Sequence, residues 1–196
     1  MERTPAWSPD GESVAYFSDE SGSYALHVAP QTGGAAKKFS LGNQTAYYFD
    51  PLWSPDSKRI AFRDNRLNTY VLDLASGKVN EAGEPNVWGG FTDQTYAMAW
   101  SPDSKWLAWT RSLKNHMHGI VLYSAERNTA MQVTDSMGDA RYPAFDRNGK
   151  YLYFLASNNA GPVMHGLDMS SNLYRPTRSI YALALILMMI LRPQAI

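Results

Sequence analysis

Large apolar residues recur seven and nine positions after four aromatic ones. Val14 and Tyr16 follow Trp7, Ile60 and Phe62 follow Trp53, Leu107 and Trp109 follow Trp100, and Leu152 and Phe154 follow Phe145. The residues between each pair, Ala15, Ala61, Ala108 and Tyr153, are apolar as well. A strand apolar on both sides must be covered on both sides, which predicts sheets sandwiched between neighbouring sheets. A third strand is expected in each unit: YALHVA from Tyr24, TYVLDLA from Thr69, GIVLYSA from Gly119 and IYALAL from Ile180. A fourth follows a turn at Lys37 to Leu41, Lys78 to Ala82 and Ala130 to Asp135, whereas the last unit offers no recognisable fourth strand.

The aromatic anchors Trp7, Trp53, Trp100 and Phe145 are spaced by 46, 47 and 45 residues. Each precedes four residues with turn chemistry: Ser8 to Gly11, Ser54 to Ser57, Ser101 to Ser104, and Asp146 to Gly149. Ser or Asp at the first position, Pro at the second and Gly at the fourth are the preferences of a type I turn. The last copy changes the letters and keeps the chemistry, so the motif reads as architecture. Four short antiparallel strands in a unit of this length are the period of a β-propeller blade. The predicted fold is therefore all-β, a β-propeller fragment of about four blades with four antiparallel strands each. It spans residues 1–185, with each anchor wedging against the next blade. Residues 186–196 form an apolar tail, expected to be a truncated or aberrant end.

A six- or seven-bladed ring needs roughly 280 to 330 residues at this period, so the chain of 196 residues is expected to be part of a ring, and as an isolated polypeptide to self-associate or be marginally stable. The N-terminal MERTPAWSPDGES has no apolar core of a signal peptide and suggests a start inside a longer protein. Eighteen basic and eighteen acidic residues cancel, and no like-charge run supports nucleic-acid or acidic-membrane binding. No cysteine occurs, which excludes disulfides and thiolate chemistry. The apolar run Ile180 to Leu191 has twelve residues against the roughly 20 of a spanning helix, so it is read as a buried strand or tail and no membrane partner is expected.

Chemistry-bearing residues mostly have structural readings. Ser8, Ser54 and Ser101 stand at first turn positions, where the hydroxyl binds its own backbone, and Asp10, Asp56 and Asp103 are turn residues. No G-x-S-x-G elbow or S-x-x-K occurs, so no catalytic residue is assigned. His116 and His118 could hold zinc with a third ligand; without a recurring partner they are read as a loop pair, and no metal or other cofactor is expected. His27 is read as a satisfied or exposed strand residue and His165 as a loop residue. Trp88 to Phe91, WGGF, reads as a turn or bulge, and Asn43 begins an NQT sequon that means little without secretion. The long segment from Ser157 to Arg178 suits contact with a ligand or a neighbouring domain. Arg141, Arg175 and Arg178 near it are the candidate ligands of peptide carboxylates.

The WSPDG/S turn followed by an IAF-like strand resembles the repeat shared by TolB-type propellers, prolyl oligopeptidase relatives and tricorn proteases. The stretches Asp50 to Val79, Tyr96 to Ser112, Gly149 to Pro162 and Arg175 to Tyr181 resemble the tricorn family most, in the later blades of its second propeller. That resemblance implies part of a cytoplasmic, oligomeric serine endopeptidase whose propellers gate and conduct peptide substrates, with PDZ-like and peptidase domains as partners. The family's catalytic residues lie beyond the propeller, so none is carried over. The alternative is a TolB-like protein-binding module in a periplasm, without enzymatic activity.

Overall fold

The computed structural model describes residues 2–20, 22–42, 46–89, 98–161, 163–164, 167–168 and 176–185. They group into two units, Met1–Asn86 and Val87–Ile196. The first holds two antiparallel four-stranded sheets, each in chain order: β1 (Glu2–Trp7), β2 (Ser13–Ser18), β3 (Ala25–Pro30) and β4 (Lys37–Ser40), then β5 (Tyr48–Trp53), β6 (Arg59–Asp64), β7 (Thr69–Asp73) and β8 (Val79–Glu81). The second holds β9 (Met98–Trp100), β10 (Trp106–Ser112), β11 (His118–Ser124) and β12 (Thr129–Gln132) in one sheet. Its other main sheet has β13 (Asp139–Phe145), β14 (Tyr151–Ser157) and β17 (Ser179–Ala184), with a small hairpin, β15 (Val163–Met164) and β16 (Leu167–Asp168), inside the long connection. The expected all-β architecture is present, and the last sheet shows three strands among the described residues.

Within each unit the sheets meet at their first strands, β1 beside β5 and β9 beside β13. One face of each strand set then packs on its neighbour. In the first unit Ala15, Phe17 and Leu26 meet Trp53, Ile60, Phe62 and Leu72, all buried. In the second, Ala108, Ile120 and Leu122 meet Leu152 and Leu185, with Phe145 and Phe154 packed alongside. Trp53 therefore wedges against the preceding sheet, opposite to the expected direction. The indole Nε1 of Trp53 donates to the carbonyl of Ala6, one sheet back, at 3.0 Å. Trp53 is 7% exposed, while Trp7, with no sheet in front of it among the described residues, is 62% exposed.

Expected coverage on both faces holds in β6 and β10, where Ile60, Ala61 and Phe62, and Leu107, Ala108 and Trp109, are all buried; in β2 Ala15 is buried while Val14 and Tyr16 on the other face are only half-buried. Coverage fails at the matching Tyr153, which is exposed together with Tyr151, because no described sheet lies on that side. An alternating pattern fixes which residues can be covered; only a neighbour covers them.

The repeated turns close as predicted. Gly11, Ser57, Ser104 and Gly149 donate to the carbonyls of Ser8, Ser54, Ser101 and Asp146 at 2.9, 2.9, 2.9 and 3.1 Å. Their φ values are 76°, 57°, 59° and 66°, so the fourth position is left-handed, which favours glycine. The serine hydroxyl does more than bind its own backbone. Ser54 Oγ donates to Asp56 at 2.6 Å and accepts the N–H of Arg59 at 2.9 Å; Ser8 and Ser101 repeat both bonds. In the last copy Asp146 accepts the N–H of Tyr151 directly at 2.8 Å.

A second recurrence was not recognised in the sequence. Thr4, Asp50 and Tyr142 have φ of 46°, 54° and 58°, each before a proline, Pro5, Pro51 and Pro143. At each, the register with the next strand slips. A bulge there removes the ladder position that a proline cannot fill.

Candidate functional site

The densest polar arrangement lies in the second unit, around a carboxylate that starts β13. Asp139 is fully buried. Its Oδ1 accepts the backbone N–H of His118 at 3.1 Å and stands 2.7 Å from the ring Nδ1 of the same residue. Its Oδ2 accepts Nε of Arg141 at 2.7 Å and Nη2 of Arg178 at 2.8 Å. Four contacts occupy the acceptor capacity of an ionised carboxylate. Burial raises the Asp139 pKa, but the His118 hydrogen bond and the Arg141 charge outweigh it and hold the group at about 2. A buried carboxylate without such partners would be costly.

Local structure delivers each partner. Arg141 is placed two residues on along β13, just before the Tyr142 bulge. His118 opens β11 and is 1% exposed. Arg178 arrives from the far end of the long connection, immediately before β17, and keeps 30% of its side chain exposed. The candidate arginines Arg141 and Arg178 therefore converge on one buried anion; Arg175 lies outside the described residues.

Trp88 seals this cluster. Its ring meets His118 edge to face at a centroid distance of 4.8 Å and lies 5.9 Å from His116. Its Nε1 donates to Leu113 at 3.0 Å, and its backbone N–H to Ser112 Oγ at 3.0 Å. His118 is thus a buried strand residue with its Nδ1 committed, which corrects its reading as a loop residue and removes the chelating pair. Among the described residues no group of three His, Asp or Glu side chains could hold a metal ion. Of the WGGF segment, Trp88 and Gly89 are described and Gly90 and Phe91 are not; Asn43 and His165 also lie outside the described residues.

His27 is neither satisfied nor exposed, contrary to expectation. It is 1% exposed, its Nε2 has no hydrogen-bond partner, and its Nδ1 stands 4.0 Å from Glu20. Tyr16 packs on its ring at 5.2 Å. A single strand pattern places a side chain on a face but not how deeply it is covered.

In the first unit another buried carboxylate, Asp64, accepts the N–H groups of Arg66 and Asn68, each at 2.9 Å, and the Tyr70 hydroxyl at 2.9 Å. Burial and then Asp64 raise the Tyr70 pKa above the ordinary phenol value. This cluster holds the turn between β6 and β7.

An open cavity of about 630 Å³ lies between the exit of β12 and the last sheet, against Val133, Met137, Ala140, Phe154, Ala156 and Tyr181. Asp135 and Asn158 supply polar groups to its lining. A smaller recess of about 190 Å³ shares Ala156, Asn158 and Tyr181 and adds Asn159, Thr177 and Ser179. Nothing in the sequence pattern marked this cavity, since its walls come from two sheets.

Antiparallel sheets that meet at their first strands within each unit, with an anchor such as Trp53 locked on the preceding sheet, are blades of a β-propeller. The family model for the tricorn protease second beta propeller domain matches residues 1–188, and the chain belongs to that family. Among solved structures it is similar to the tricorn protease, with 20% identity, a TM-score of 0.71, and coverage of 94% of this chain and 18% of that one. It is also similar to a putative TolB from Agrobacterium tumefaciens, at 20% identity and TM-score 0.54, covering 91% of this chain and 64% of that one. Dipeptidyl peptidase 4 of Porphyromonas gingivalis gives 18% identity and TM-score 0.61, covering 81% and 29%. Among curated proteins none matches the chain. The chain thus spans less than a fifth of the length of the tricorn protease it resembles.

Proposed function

We propose that this chain is the substrate-gating propeller portion of a tricorn-like serine peptidase, selecting and conducting peptides for a peptidase domain elsewhere in the protein. The match of residues 1–188 to the second tricorn propeller carries this reading. The chemistry of the second unit supports it. The single charge of Asp139 stands against two guanidinium groups, and Arg178 remains partly exposed to meet a peptide carboxylate; Arg141, and Arg175 beyond the described residues, complete the proposed set.

In this reading the parent protein is cytoplasmic and oligomeric and carries PDZ-like and peptidase domains. In this reading the nucleophile and base belong to that peptidase domain, and this chain hydrolyses no peptide alone. The test is the coding sequence on both sides, followed by a peptidase assay on the full-length product. A flanking peptidase segment, and slower turnover of peptides with a free carboxylate in Arg178→Glu, are expected. An upstream signal peptide with no downstream peptidase would overturn it. Similarity to the Agrobacterium tumefaciens TolB protein favours, in that event, a protein-binding module in the periplasm.

A further inference from the structure

Each unit packs two sheets in the same register, but not with the same side chains. The pair Tyr48↔Asp64 between β5 and β6 recurs as Ala140↔Ala156 between β13 and β14. Phe62↔Tyr70 recurs as Phe154↔Tyr181, and both ring pairs stack, with centroids 5.4 and 5.8 Å apart and planes at 21° and 13°. On the facing sheets, Phe17↔Leu26 corresponds to Thr110↔Ile120. Phe39, paired with Leu26, corresponds to Val133, whose N–H donates to Ile120 at 2.8 Å. Three rings of the first unit, Phe17, Phe39 and Tyr48, are therefore Thr110, Val133 and Ala140 in the second.

In the first unit the Tyr48 ring fills the space between the sheets. It is 5% exposed, stacks on Phe17 at 5.7 Å, and meets Phe62 and Tyr70 edge to face at 5.6 and 6.3 Å. Its hydroxyl donates to the carbonyl of Leu41 at 3.3 Å. In the second unit the corresponding residues Val133, Ala140, Phe154, Ala156 and Tyr181 line the cavity of about 630 Å³. Phe154 and Tyr181 keep the ring pair on which Tyr48 packs, and Asp135 follows Val133 by two residues, as Leu41 follows Phe39. The difference lies in the ring itself, since Ala140 carries a methyl group where Tyr48 carries a phenol.

We propose that this cavity is a binding site for a phenol ring, the side-chain chemistry of tyrosine, seated between the sheets of the second unit as Tyr48 is seated in the first. A mainly apolar cavity left by a smaller side chain takes up a small aromatic molecule of matching shape, and its volume lies in the range of ligand sites. The ring packs edge to face on Phe154 and Tyr181, and its hydroxyl donates to the backbone carbonyl of Asp135, the counterpart of Leu41. The lining includes the Asp135 carboxylate and no lysine or arginine, so neutral and cationic phenols are preferred to anionic ones. Met137 of the lining is 85% exposed, so the cavity opens to solvent and admits a free phenol or a tyrosyl side chain of a peptide. None of this rests on the proposed function.

The test titrates p-cresol into the full chain with isotope-labelled methionine methyl groups and reads the Met137 signal. A saturable ring-current shift is expected, with methylcyclohexanol, of similar shape but not aromatic, binding about fivefold more weakly. Tyramine should bind more tightly than para-hydroxyphenylacetate, and Asp135→Asn should remove most of that difference. Ala140→Tyr, which restores the ring of the first unit, should weaken p-cresol binding by about tenfold or more, because a filled core leaves no room for a second ring. Ala156→Leu narrows the same cavity with a smaller side chain and keeps the test if Ala140→Tyr does not fold. A Gly-Gly-Tyr-Gly-Gly amide that competes with p-cresol assigns the site to a tyrosyl side chain, and failure to compete beside p-cresol binding assigns it to a free phenol. No shift at Met137, equal binding of methylcyclohexanol, or undiminished binding by the filled variants overturns the proposal. So does binding that appears only in Tyr174→Ala, since the chain then fills the place itself.

Discussion

The indole of Trp53 reaches back 47 residues to the carbonyl of Ala6 at 3.0 Å, and so ties the second sheet to the first by a hydrogen bond as well as by packing. Trp53→Ala should cost about 3 to 5 kcal/mol, the range for emptying a large buried site. Trp53→Phe should cost about 1 kcal/mol beyond its packing change, for the lost bond. Trp7→Ala, at the same place in the repeat but 62% exposed, should stay within about 0.5 kcal/mol. Urea melts of the three variants separate these outcomes; equal losses at Trp7 and Trp53 would contradict the seating.

Asp139 hydrogen-bonds two guanidinium groups at once. Asp139→Asn leaves them facing an amide and should destabilise by about 3 kcal/mol, as for removing one partner of a buried ion pair. The pH dependence follows from its lowered pKa of about 2. The unfolded group titrates near 3.9, so its stabilisation is complete above about pH 4 and is lost as the pH falls towards 2. Wild-type stability should decline across that window more steeply than that of Asp139→Asn; parallel curves would refute the assignment.

Each turn serine holds two partners at once. Ser54→Ala removes the bond to Asp56 and leaves the half-buried N–H of Arg59 without its side-chain acceptor, at an expected cost of about 1 kcal/mol. Asp146→Ser, which installs the residue used in the other three copies, should change stability by less than about 0.5 kcal/mol. Thermal denaturation of both decides whether the hydroxyl or merely the turn matters.

Gly11 stands at φ 76° with nothing near its would-be Cβ. Gly11→Ala therefore reports backbone strain without a clash, and should cost about 1 to 2 kcal/mol. A neutral result in a chemical melt would show that the turn relaxes.

Trp7, Tyr151, Tyr153 and Ile180 expose apolar surface on sheets that have only one described neighbour. Such surface favours association, so the isolated chain should self-associate in sedimentation velocity, with Tyr153→Ser shifting it towards monomer. A monomer with a cooperative, high-temperature melt would argue against this.

The spacing of Trp7, Trp53, Trp100 and Phe145 was enough to place the strands, because a repeat must satisfy the same backbone geometry in every copy. The third strands and most fourth strands fall where alternation and turn residues put them. The prolines two residues before three of the anchors carried the signal for the bulges, but a lone proline does not reveal a left-handed residue in front of it. The direction of the tryptophan wedge was not legible either, since both neighbouring sheets offer an apolar face.

Arg141 and Arg178 illustrate the same limit at the site. Their residue types announced a taste for carboxylates, and the sequence alone could not tell a peptide carboxylate from Asp139, which is 39 residues from Arg178. Likewise His118 sat in an apparent HMH pair until its strand turned Nδ1 towards Asp139. The sequence by itself determined the repeat, the turns and the strand faces, which depend on neighbours within a few residues along the chain. Only the tertiary structure decided which charges meet and which histidine is buried, because those depend on segments that approach through folding and not through sequence spacing.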